Sequence, residues 1–89
     1  MKITKKNGVV TVYDDQKVAK SILKANEGST DQKVTQNNAD GIASEVFSRL
    51  TEENEIISTN EVRNCVCKVL REKGLTDTAR RYEEYKKNK

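Results

Sequence analysis

The pair Asn7-Gly8 does most to limit what this chain can fold into, because both residues tolerate positive φ and together suit the type I′ turn that joins two antiparallel strands. Strand-like runs flank it, residues 2–6 and 9–13, so a β-hairpin opens a chain whose remainder reads mainly as helix. The expected fold class is α+β. A two-residue turn sets Lys5 opposite Val10 and Ile3 opposite Val12. Lys5 then shares a face with Ile3, Val10 and Val12, while Thr4 and Thr11 lie on the other. A lysine on a packed face has two options: it takes an anionic partner, or it runs its stem to the sheet edge and keeps its ammonium in water.

Four helices follow from periodicity and caps. Asp14 or Asp15 is a good N-cap for a helix over residues 15–26. Val18, Ala19, Ile22, Leu23 and Ala25 form its apolar arc, with Lys17, Lys20 and Lys24 on the far side. Lysine in a first turn opposes the helix dipole, so Lys17 suits a site where a phosphate or carboxylate joins it; Asp14 or Asp15 would serve equally. Residues 27–35, rich in Gly, Ser, Thr and Asp, read as a loop. Ala39, Ile42, Ala43, Val46, Phe47 and Leu50 then keep helical spacing without a miss. The polar face of that helix, with Asp40, Glu45 and Arg49, suggests packing rather than chemistry. Residues 55–57 are long enough only for an edge strand joining the hairpin.

Ser58-Thr59-Asn60-Glu61 has the form of a capping box and starts a third helix, with Val62, Cys65, Val66, Val69 and Leu70 as its stripe and Gly74 as its stop. Thr59 is left at the mouth of a helix N-terminus. A last helix starts at Thr76 or Asp77, with Leu75, Ala79, Tyr82 and Tyr85 inward and Arg80, Arg81, Lys86, Lys87 and Lys89 outward. Cys65 and Cys67, two apart on a helix, point about 200° apart and cannot easily bridge or share a metal. Cys65 is expected in the core and Cys67 at its edge. With no histidine in the chain and no second cysteine pair, a zinc site is not expected.

With 89 residues, 34% hydrophobic, one Phe and no Trp, the chain makes one small domain with a thin core. Any ligand belongs in a surface groove between elements, which argues against a complete enzyme. The charge is segregated along the chain: residues 1–24 carry +4, residues 25–62 carry −6, and residues 63–89 carry +5. Where the two basic ends meet, they form a positive site beside an acidic segment, better suited to a compact anion than to a long duplex. No apolar run approaches the roughly 18 residues that span a bilayer, and the first residues lack a signal-peptide core. A cytoplasmic location and no membrane partner are therefore expected.

The element order β, β, α, α, β, α, α, together with Lys5-Lys6-Asn7-Gly8, Val12-Tyr13-Asp14, Lys17-Val18, Ile57-Ser58-Thr59, Glu61-Val62 and the Tyr82 and Tyr85 spacing, resembles the ATP-cone domain over essentially the whole chain. Lys6 stands where the family more often has Arg, and Asn7 where it has Asp. The resemblance implies a regulatory domain that takes ATP or dATP, with Mg²⁺, and controls the activity and oligomeric state of a ribonucleotide reductase. It implies that Lys5, Lys6 and Lys17 contact phosphates, and that Thr59, Val18 and Val62 border adenine and sugar. Arg63 and the basic tail, Lys86 or Lys89, would close over the triphosphate, and Asp14 belongs to the same nucleotide-binding motif. Thr11 stands near where the family often places a carboxylate.

Two other classes are weaker. A nucleic-acid module working through Arg80, Arg81, Lys86 and Lys87 would lack zinc ligands, a stacking aromatic pair and a Gly-rich loop. A catalytic fragment would lack a nucleophile beside a base. The host chemistry is expected elsewhere, in a parent catalytic domain and its partner subunits, with residues 86–89 as a linker and residues 1–89 as one domain cut from a longer chain.

Overall fold

The computed structural model describes residues 2–4, 8, 10–51 and 56–87, with the backbone alone at residues 56 and 85–87. Three short strands and four helices run in the order β1 (Lys2–Thr4), β2 (Val10–Val12), α1 (Asp15–Glu27), α2 (Gln36–Thr51), β3 (Ile56–Ser58), α3 (Thr59–Glu72) and α4 (Thr76–Lys87). This is the expected α+β class. The sheet has the order β2-β1-β3, with β1 antiparallel to β2 and parallel to β3. The helices form a ring in which each packs on two neighbours, α1 on α2 and α4, and α3 on α2 and α4.

The hairpin register differs from the expected one by a residue: Lys2 pairs with Val12, Ile3 with Thr11 and Thr4 with Val10. The reason lies outside the strands. Tyr13 is buried, its ring 5.3 Å from Phe47 and its hydroxyl donating to the Ala43 carbonyl at 2.9 Å. Alternation along β2 then forces Thr11 to the helix side and leaves Val10 and Val12 exposed, at 52% and 74%. A slip of one residue moves every side chain to the other face, and the aromatic ring with its satisfied hydroxyl outweighs two valines. Gly8 keeps the positive φ, +84°, that its place beside Asn7 suggests. Lys5, and with it the choice between an anionic partner and the sheet edge, lies outside the described residues.

Helix ends follow the cap residues. Asp14 caps α1, its Oδ1 accepting from the Gln16 and Lys17 amides at 3.0 and 3.3 Å. Ser58 and Glu61 close a full capping box on α3. At the other end of α3, Gly74 takes φ +81° and the Leu75 amide returns to the Leu70 carbonyl at 2.9 Å. Ile22, Val46, Val66, Val69 and Leu70 sit in the middle of the ring with no or little exposure.

The cysteines reverse their expected places. Cys67 is 2% exposed, with its Sγ 3.5 Å from the Ala79 carbonyl, and Cys65 is half-buried. Helix α3 is covered on two sides, by α2 and by α4, so a position off its first apolar stripe is buried by the last helix.

The loop after α1 is also more than a connection. Asn26, 6% exposed, donates from Nδ2 to the Gln32 carbonyl at 3.0 Å and to Thr78 Oγ1 at 3.1 Å, and accepts from the Val34 amide at 2.8 Å. Two aspartates complete this clasp reciprocally. Asp31 Oδ2 accepts from the Thr78 amide at 2.6 Å, and Asp77 Oδ2 accepts from the Thr30 amide at 2.8 Å.

Candidate functional site

The first turns of α1 and α3 line a cleft of about 650 Å³ together with the hairpin. The hairpin contributes Ile3, Thr11 and Val12, and the connection into α1 contributes Tyr13 and Asp14. From α1 come Lys17, Val18 and Ser21, one turn apart on one side of the helix; from α3 come Thr59, Asn60, Val62 and Arg63. Tyr82 of α4 completes the lining. No residue of α2 takes part among the described lining residues. Caps explain the alignment: each chain segment enters its helix directly from a strand end, so the first turn of each helix opens beside the sheet.

The cleft is apolar along Ile3, Val12, Val18 and Val62, and cationic at Lys17 and Arg63. Two helix N-termini add positive partial charge and first-turn amides. Tyr82 is buried, and burial pushes its hydroxyl well above the ordinary range, with Arg63 pulling the other way. It therefore stays neutral near pH 7. Burial likewise raises Tyr13.

Arg63 stands apart from the other arginines. Arg49 pairs with Glu45 and Glu72, both at 2.6 Å; Arg71 pairs with Glu83 at 3.2 Å; Arg80 pairs with Asp77 at 2.7 Å and Glu84 at 3.2 Å; Arg81 pairs with Asp77 at 3.4 Å. Among the described residues Arg63 and Lys17 make no ion pair, and the buried Nε of Arg63 has no hydrogen-bond partner. A buried donor without an acceptor costs about 1–3 kcal/mol, and native structures hold few of them.

The fold thus brings together Asp14, Lys17, Val18, Thr59, Val62 and Arg63, six residues read from the sequence as nucleotide contacts. Lys5, Lys6, Lys89 and the side chain of Lys86 lie outside the described residues. Ile3, Val12, Tyr13, Ser21, Asn60 and Tyr82 also line the cleft and were not read as contacts. Ser21 had a local signal, one turn beyond Lys17, and its Oγ donates to the Lys17 carbonyl at 2.9 Å. Tyr82 had none, since its stripe position reads as core.

The family profile of the ATP cone domain matches residues 1–89, the whole chain. The chain belongs to the ATP-cone family. ATP-cones are regulatory rather than catalytic and bind ATP or dATP as effectors, which makes this cone a nucleotide-binding allosteric module. No curated protein matches the cone closely enough to count as a relative. Among the described residues of the cone no helix is long and apolar enough to cross a membrane, and no group of three potential metal ligands is found.

Proposed function

We propose that the cone holds a purine nucleoside triphosphate, ATP or dATP, in the cleft between the hairpin and the mouths of α1 and α3, and through it controls the activity and oligomeric state of a ribonucleotide reductase. Lys17 and Arg63 take the phosphates, joined by Lys5 and Lys6, with Lys86 or Lys89 closing over them. Val18, Val62 and Thr59 border the base and sugar, and Mg²⁺ travels with the triphosphate. The observation that carries this reading is that Lys17 and Arg63 line one cleft beside two helix N-termini and neither makes an ion pair with a described residue. The chain's other arginines, Arg49, Arg71, Arg80 and Arg81, have carboxylates.

Control follows from where the cleft is made. A ligand there touches the hairpin, α1, α3 and α4 together, and it shifts an equilibrium only by its difference in affinity for two arrangements of these parts. The test is a thermal-shift titration with ATP and dATP, with and without Mg²⁺. The melting temperature should rise with ligand, since ligand bound only to the native state stabilises it. Lys17→Gln with Arg63→Gln should abolish the rise without lowering the ligand-free melt. No rise up to millimolar nucleotide, with a rise on DNA, would favour the nucleic-acid reading instead. That reading is weakened by the ion pairs that already engage Arg80 and Arg81.

A further inference from the structure

Among the described residues, the large apolar side chains left exposed are Val10 and Val12. Both lie on one face of β2, which stands at one edge of the sheet order β2-β1-β3. The burial of Tyr13 fixes which face of β2 points outward, but it does not ask for valine there. Threonine is also a good strand former and would leave the edge polar. Native proteins blunt an exposed edge with a lysine, a proline or a bulge. β2 uses none of these. Residues 9–13, Val-Val-Thr-Val-Tyr, carry no charge and no proline, and the pairing with β1 runs through Val10, Thr11 and Val12 without a bulge.

We infer that the outer edge of β2 is a self-association surface, on which a second copy of this chain adds its own β2 in antiparallel register. Pairing about Thr11 sets Val10 of each copy opposite Val12 of the other and joins two sheets into one around a two-fold axis. The register of β1 on β2 then orders each outer row as Lys2, Val12, Val10 of the second copy and Thr4 of the second copy. Four valines meet at the centre. The two Lys2 side chains stand three strand spacings apart, about 14 Å, beyond the screening length of about 10 Å at 0.1 M salt. The ends are complementary in charge: Asp14 and Asp15 follow β2, and antiparallel pairing brings them to the turn end of the other strand, where Lys5 and Lys6 precede Gly8 in the sequence. A pair of three-residue strands buries far less than the roughly 1,200–2,000 Å² of a stable interface, so the free chain associates weakly and the contact counts where copies are held together. None of this depends on the nucleotide reading of the cleft.

The test is sedimentation equilibrium of the full chain without nucleotide, from micromolar to millimolar concentration. The average mass should rise from the 10.1 kDa of one chain toward twice that value. Val10→Lys, at a position outside the described lining of the cleft, should weaken the association about tenfold or more, and Val10→Thr should weaken it less. Far-UV circular dichroism checks that each variant is folded. In a mixture of methyl-labelled and unlabelled chains, isotope-filtered NOEs should join the Val10 methyls of one copy to the Val12 methyls of the other. A wild-type chain that keeps the mass of one copy at millimolar concentration overturns the inference. So does a folded Val10→Lys that associates as well as the wild type, a mass that climbs past two copies, or a dimer without the Val10 to Val12 NOE, which is built on another face. Should Val10→Lys not fold, Val10→Thr and the NOE decide. A chain that pairs in this way and binds no nucleotide defeats the nucleotide reading alone.

Discussion

The two ends of α1 carry polar groups set against the apolar core, and they are finished differently. At the C-terminal end the Asn26 amide is bonded to Gln32, Val34 and Thr78, and Asp31 and Asp77 each take an amide from the facing segment. At the N-terminal end Lys17 and Arg63 make no ion pair among the described residues, although Asp14 lines the same cleft, and the Nε of Arg63 has no acceptor. A polar network closed on itself stiffens a fold, because breaking any member strands the others. A network left open holds its hydrogen-bonding capacity for something that arrives later. The difference between these ends separates what holds α4 to α1 from what reads a ligand.

The largest effect should come from breaking the closed end. Asn26→Ala strands the Val34 amide and leaves Thr78 short of a partner, and it should cost about 3 kcal/mol in urea unfolding with ligand affinity unchanged once the chain is folded. A cost near zero would show that the clasp is ornamental and would erase the contrast. Next comes the open end. Arg63→Gln or Lys17→Gln alone should lower ATP affinity about tenfold without lowering ligand-free stability, and Arg63→Gln, which removes the unpaired buried donor, should raise it. Equal losses of stability and of binding would make these residues structural, like Asn26.

Gly41 offers a control on α2, the helix that takes no part in the described lining. A Cβ there meets nothing within 4 Å, so Gly41→Ala should stabilise the chain by about 1 kcal/mol and leave ATP affinity as it was. A change in affinity would show that α2 is not merely scaffold. The smallest effect concerns the exposed side of the clasp. The Thr30 amide, helped by Arg80 and Arg81, lowers the Asp77 carboxyl from 3.8 to about 2. The unfolded chain therefore takes up this proton first, so the stabilisation is complete above about pH 4 and is lost as the pH falls toward 2. Asp77→Asn should flatten the pH dependence of unfolding in that window, and an unchanged slope would mean the Thr30 contact contributes nothing.

Much of the cleft was legible because its residues announce themselves locally. Asp14 and Ser58 are caps and Lys17 and Thr59 sit in first turns, so nearest-neighbour chemistry placed these four at helix mouths, whereas Arg63 was implied only by the family resemblance. The clasp was not legible, although a signal was present. Asn26 continues the spacing of Ala19 and Ile22, and Thr78 that of Leu75, so each is a polar residue on an apolar stripe. Nothing in either segment says that the two stripes meet 52 residues apart. The cysteines failed for a related reason: one stripe was visible on α3, whereas α4 buries a second face.

What the sequence by itself determined is the set of elements and their ends, since caps, turns and periodicity act over a few residues and need no partner. The tertiary structure decided the hairpin register, the burial of Cys67, the clasp and the convergence on one cleft. Each of these depends on which faces meet. In the register the deciding contact is Tyr13 against Phe47 and the Ala43 carbonyl, and those partners lie on α2, about thirty residues away, where no local pattern reaches.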